Sequence, residues 1–136
     1  MKRFAAIALV LLAGACTGSL QAQSREVRAD VPFNFTVGNK QLPAGHYTFS
    51  TQPSYTLVIS NAKYQFMILS RSDDADSANE YSSKLVFDKY GDHYFLREIH
   101  CPSIAMNVAL RQSKLEKQTR VQMAGIDPQT TLVALN

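Results

Sequence analysis

Val27-Arg28-Ala29-Asp30-Val31-Pro32-Phe33-Asn34-Phe35-Thr36-Val37 is the stretch whose reading decides the fold. Val27, Ala29, Val31, Phe33, Phe35 and Val37 take alternate positions, and Arg28, Asp30, Pro32, Asn34 and Thr36 fill the places between them. Successive side chains of a strand point to opposite faces, so this period of two predicts one face against a core and one in water. Pro32 has no N–H to give a ladder, which places it at a sheet edge or a bulge.

Downstream, the same logic repeats. Gly38-Asn39 and Leu42-Pro43-Ala44-Gly45 read as turns, and His46-Tyr47-Thr48-Phe49 resumes the extended pattern. Residues 55–60 and 64–70 form two β-rich runs joined by Asn61-Ala62-Lys63, a hairpin signal. Val58-Ile59 and Met67-Ile68-Leu69 are consecutive apolar residues, so this pair is expected to be buried more deeply than the first strand. Residues 71–80, with Asp73, Asp74, Asp76 and Glu80 among small polar neighbours, are expected to be a long structureless loop.

A second hairpin is expected over residues 84–100, turning at Tyr90-Gly91. Setting Lys89 opposite Asp92 pairs Asp88 with His93, Phe87 with Tyr94 and Leu85 with Leu96, which puts four large apolar side chains on one face. Residues 107–110 suit a short strand. Ser113-Lys114-Leu115-Glu116 fits a capping box opening a short surface helix, with Glu116 and Arg120 spaced for mutual support and Gly125 placed to close it. Residues 130–135 read as a last strand. Eight β-runs between turn signals predict a mainly β, single-domain antiparallel β-sandwich or small β-barrel with one short helix near the C-terminus.

Upstream, Lys2 and Arg3 precede the apolar run 4–15, which is too short to cross a bilayer as a permanent helix. Residues 1–22 therefore read as an export signal, leaving residues 23–136 as one β-rich domain outside the cytoplasm, periplasmic or extracellular. Two ends to the signal stay open. Cleavage after Leu20-Gln21-Ala22 releases a soluble domain. Leu11-Leu12-Ala13-Gly14-Ala15-Cys16 resembles a bacterial lipoprotein signal, which implies lipid on Cys16, although Ala13 stands where such signals usually carry Leu.

Loss of the signal takes two of the fourteen basic residues, and twelve then face eleven acidic ones. A near-neutral domain without a concentrated basic face is not expected to bind nucleic acid. Trp is absent, which disfavours an aromatic sugar-binding platform. Beyond the signal, Cys101 is left without a disulfide partner, and burial is its first reading.

The stretch Val31-Pro32-Phe33-Asn34-Phe35-Thr36-Val37-Gly38 followed by Leu42-Pro43-Ala44-Gly45-His46-Tyr47 resembles the start of a family of small secreted β-rich proteins of soil bacteria. Leu85-Val86-Phe87, Tyr90-Gly91-Asp92 and Tyr94-Phe95-Leu96 are similar to a second block of that family, and Ser113-Lys114 with Glu116-Lys117 more loosely to a third. The resemblance implies an exported β-domain and transfers no catalytic residue. The neighbourhood of Cys101 lies outside the shared pattern.

Four residues are candidates for chemistry. Asp88 beside His93 would make the first half of a general-base pair, though an ordinary surface pair is the plainer reading. His100-Cys101 is the most chemically loaded dipeptide, yet strand neighbours point to opposite faces, so the imidazole is not expected to activate the thiol. His46, His93 and His100 lack the close spacing of zinc ligands, and the acidic loop lacks the Gly and closing Glu of a calcium loop. No metal or cofactor is expected. Asn34-Phe35-Thr36 meets the glycosylation rule, but the bacterial character of the signal argues against modification. Lys114, Lys117 and Arg120 put positive charge on the helix, which would suit anionic lipid or polymer, with a solvated face as the plainer reading.

The function expected is that of an exported, non-catalytic β-domain binding an envelope protein, a polymer or a small apolar ligand. The alternatives are a thiol- or histidine-dependent enzyme using Cys101 with His100, His93 or His46, and an envelope lipoprotein attached through Cys16, the one route by which membrane attachment is expected.

Overall fold

The computed structural model describes residues 25–72 and 82–136. The expected export signal, residues 1–22 with Cys16, and the acidic stretch with Asp73, Asp74, Asp76 and Glu80 lie outside the described residues. Among the described residues the chain is mainly β, with two sheets, one short helix and no closed barrel, a sandwich-like single domain.

The first sheet has the order β1-β4-β5-β6, all antiparallel, from β1 (Arg25–Val31), β4 (Gly45–Gln52), β5 (Thr56–Ser60) and β6 (Gln65–Leu69). The second runs β11-β8-β9-β10-β7, from β7 (Arg71–Ser72), β8 (Lys84–Tyr90), β9 (His93–Cys101), β10 (Met106–Ala109) and β11 (Gln129–Ala134). A small hairpin of β2 (Phe35–Val37) and β3 (Lys40–Leu42) joins it through a parallel bridge from Thr36 to Phe95. Val27, Ala29, Val31, Phe49, Leu57 and Ile59 face Phe35, Val37, Leu85, Phe87, Ile99 and Met106 across one core. On one flank the chain steps from β6 straight to β7; on the other, the Asn136 N–H donates to the Arg28 carbonyl at 2.8 Å.

The alternation of residues 27–37 is real, but it serves two strands. The pairing of β1 with β4 ends at Val31, Pro32 lies exposed just past it, and β2 begins in the other sheet. Pro32 marks where the chain changes sheets. Asn34 is accordingly in no strand, and its Oδ1 accepts from the Ala44 N–H at 2.9 Å. Gly38 turns the small hairpin at φ 61°, a left-handed conformation that favours glycine, and a methyl there would also press on the tip of Ile68 of β6, whose Cδ1 would lie 2.7 Å away.

The hairpin of β5 and β6 forms across Asn61, whose Oδ1 accepts from the N–H groups of Lys63 and Tyr64. Its burial differs from expectation. Leu57, Val58 and Ile59 are buried, whereas Met67 is 55% and Leu69 77% exposed. A run of three apolar residues does not tell a central strand from an edge, and β6 is an edge.

The β8–β9 register is also corrected. Tyr90 pairs with His93, Asp88 with Phe95 and Phe87 with Leu96; beyond a bulge, Val86 pairs with Glu98 and Leu85 with Ile99. Arg97 is the extra residue. Leu96 and Ile99 both face the core although three apart, a spacing strict alternation forbids and a bulge permits.

Helix α1 (Lys114–Gln122) starts where the capping box sets it, with Ser113 Oγ accepting from the Glu116 N–H at 3.1 Å. The return half of the box is not made, because the Glu116 carboxylate turns inward to Arg97 and Tyr90, and it does not support Arg120 either. The helix ends at Gln122, before Gly125.

Candidate functional site

The expected pair of Asp88 and His93 is not formed. His93 is exposed at the hairpin end, and Asp88 instead accepts from Arg97 Nε at 2.9 Å. His100 and Cys101 project to opposite faces of β9. Cys101 is buried against the core, its Sγ at 3.3 Å from Ser103 Oγ and 3.5 Å from Ser83 Oγ. His100 is buried on the other face, where Glu98 Oε2 lies 2.7 Å from its Nε2. Residues two apart on a strand share a face, so the spacing Glu98-x-His100 was a readable signal for this contact. Across the ladder from His100 lies Asn107; His100 Nδ1 and Asn107 Oδ1 are buried without a hydrogen-bond partner among the described residues. Among the described residues no group of three His, Cys, Asp or Glu side chains is placed to hold a metal ion.

A charged cluster that the sequence did not announce sits under α1. Arg97 donates to Asp88, to the Leu110 carbonyl at 3.0 Å and to Glu116, and the Tyr90 hydroxyl donates to Glu116 at 3.3 Å. Burial pushes the Glu116 carboxyl above its ordinary value, against the pull of Arg97. Burial raises the Tyr90 phenol too, helped by Glu116 and Asp88. For Arg97, burial opposes the charge, but the Asp88 hydrogen bond and the two carboxylates outweigh it and hold the guanidinium above its ordinary value. With three donor sites used on three segments, Arg97 ties its own strand β9 to β8, to the end of β10 and to the entry of α1. The arrangement clamps the helix and exposes no reactive atom.

An open cleft of about 400 Å³ lies at one end of the first sheet, bounded by Arg28, His46, Thr48, Ser60, Asn61 and Asn136. His46 faces Asp30 at 3.5 Å on its rim, and both side chains are largely exposed. Below it the Tyr47 hydroxyl donates to the Pro43 carbonyl at 2.7 Å and lies 3.2 Å from the Tyr64 hydroxyl; burial drives the Tyr47 phenol far above its ordinary value.

The arrangement best suited to recognition is the outer edge of β6. Ser70 N–H donates to Tyr55 O at 2.7 Å and Asn61 N–H to Tyr64 O at 3.0 Å, bracketing the hairpin. Hydrogen-bonded pairs alternate along an antiparallel ladder, so Tyr64, Phe66, Ile68 and Ser70 turn their backbone groups toward β5. Gln65, Met67 and Leu69 therefore turn theirs outward, and among the described residues no strand pairs with them. The exposed Met67 and Leu69 side chains share one face, and Tyr55, 63% exposed, stands near the end of the same hairpin. Phe66 and Ile68 pack inward, and Lys40 lies 5.0 Å above the Phe66 ring and 5.3 Å above that of Tyr64. These contacts hold the edge strand in place without covering it.

Comparison with protein-family models, with curated proteins and with solved structures gives no match for this chain. Fold and site define its class as a sandwich-like β-domain with an open, apolar edge strand.

Proposed function

We propose that this chain is an exported, non-catalytic β-domain of the bacterial envelope that binds an extended segment of a partner protein by adding it as a strand to β6. The observation that carries the reading is the β6 edge, unpaired among the described residues, where outward N–H and C=O groups of Gln65, Met67 and Leu69 stand beside two exposed apolar side chains. Strand addition draws affinity from the main chain and selectivity from alternate side chains. Covering Met67 and Leu69 adds roughly 1.5–3 kcal/mol for each side chain fully buried. Exposed apolar edges invite aggregation and are usually blunted. Residues 64–70 contain no charged side chain, and Lys63 and Arg71 bracket them. Those flanking cations favour a partner segment with an apolar centre and acidic ends. The burial of Cys101 away from His100 supports the non-catalytic half of the reading.

Peptide display tests it. Selected peptides should be extended and apolar with acidic flanks, and on binding should slow hydrogen exchange of the Met67 and Leu69 amides. Met67→Pro removes an outward N–H and spares the β5–β6 ladder, so it should abolish binding while the fold persists. Selected peptides that leave those amides unprotected, or that bind M67P equally, rule the edge out.

A further inference from the structure

Helix α1 is buried the wrong way round for a helix held by apolar packing. Glu116 and Thr119 are its buried residues, whereas Leu115 is 38% and Val121 75% exposed, and Ile126 just beyond the helix is 52% exposed. At roughly 100° per residue, Lys114, Lys117 and Val121 form one stripe at i, i+3 and i+7, opposite the stripe of Glu116 and Thr119. Arg120 lies on one flank of that crest and Leu115 on the other.

The charge on this face has one sign. Lys114 and Lys117 on the crest, Arg120 on its flank and Arg111 in the segment before the helix are all exposed, and none is ion-paired to a carboxylate among the described residues. Glu116 is the one acidic residue between positions 111 and 126, and it is sequestered beneath the helix by Arg97 and Tyr90. The inward turn of that carboxylate, which costs the helix its capping box, leaves the helix itself with cations as its only exposed charges, and the next acidic residue is the exposed Asp127 beyond its end.

We infer that the outer face of α1 docks on a bilayer carrying anionic phospholipid headgroups, with Arg111, Lys114, Lys117 and Arg120 over the phosphates and Val121 at the acyl boundary. A soluble anionic polymer would use the cations alone. The apolar side chains set among them are what an interface between headgroup and hydrocarbon rewards. This surface is separate from the β6 edge and stands whether or not β6 binds a partner.

The test uses the protein purified in the form its producing cell processes, mixed with phosphatidylcholine vesicles with and without phosphatidylglycerol. Vesicles containing phosphatidylglycerol should bind it preferentially, less so as salt rises. A lipid on Cys16 would carry it to both vesicle types alike, so the difference between them reads the helix. Lys114→Gln with Lys117→Gln should weaken binding to the anionic vesicles about thirtyfold. Val121→Ser should weaken it about tenfold while leaving any binding to soluble dextran sulfate unchanged. All three side chains are exposed, and an unchanged circular dichroism spectrum verifies that the variants fold. Equal binding to both vesicle types overturns the inference. So does loss on lysine substitution with no effect of V121S, which would assign the face to a polyanion.

Discussion

Arg97 on β9 and Glu116 on α1 pair beneath the helix, where their side chains are 17% and 4% exposed. This contact joins the bulge of the second sheet to an element that brings little apolar surface of its own. Arg97→Met keeps the side chain's length and removes its charge, leaving a buried carboxylate uncompensated and the Leu110 carbonyl without its donor. Breaking one side of a buried pair costs about 3–5 kcal/mol. Urea unfolding should show a loss of that order, and R97M with Glu116→Gln should recover part of it. A loss under about 1 kcal/mol would mean that the clamp does not hold the helix.

The same carboxyl carries a pH dependence of definite sign. Burial raises Glu116 above its unfolded value, so the folded state holds this proton more tightly than the unfolded chain. Its contribution is fully present below the ordinary carboxylate range and is lost as pH rises through the raised folded value. The stability of the wild type relative to E116Q should therefore increase as pH falls from neutral into that range. Denaturant titrations of the two proteins at matched pH check this, and a difference that shrinks on acidification contradicts it.

Local pattern carried much of this fold. Ser113 starts α1 because an N-cap is a property of four consecutive residues, and Asn61 turns the β5–β6 hairpin through bonds to Lys63 and Tyr64. What the sequence hid was non-local. Period two survives a change of sheet, so nothing in residues 27–37 except Pro32 marks the point where β1 gives way to β2. Leu96-Arg97-Glu98-Ile99 carries the bulge in plain view, two polar residues between two core ones, but choosing that register requires knowing that Ile99 faces Leu85. Glu116 looks like the closing residue of a capping box until Arg97, nineteen positions away, draws it inward. The β6 edge was illegible for a related reason: exposure of Met67 and Leu69 depends on strand order, which is not written in the strand.

Ser54 and Tyr55 hold φ values of 76° and 56° in the loop between β4 and β5. A left-handed conformation costs an L-residue about 1–2 kcal/mol, and glycine escapes most of it while losing more freedom on folding. The balance predicts that Ser54→Gly stabilises the domain by about 0.5–1 kcal/mol, read as a higher urea midpoint. The loop geometry sets the Tyr55 carbonyl that accepts both Ser70 N–H and Ser70 Oγ, so S54G should leave the β6 edge and its peptide binding unchanged.

Cys101 is the residue on which an enzymatic reading would rest, and its surroundings make a definite prediction. Its side chain belongs to the core shared with Leu85 and Ile99, and its sulfur meets two serine hydroxyls rather than an imidazole. A thiol in such a place is shielded from reagents in solution and has no imidazole beside it. Labelling of Cys101 by a thiol reagent, followed by mass spectrometry of its peptide, should be slow in native buffer. It should rise to the rate of a free thiol across the unfolding transition. Cys101→Ala should cost at most about 1–2 kcal/mol, mostly lost core packing, and leave binding at β6 intact. Rapid labelling of the folded protein would place the sulfur at the surface and return Cys101 to the list of reactive groups.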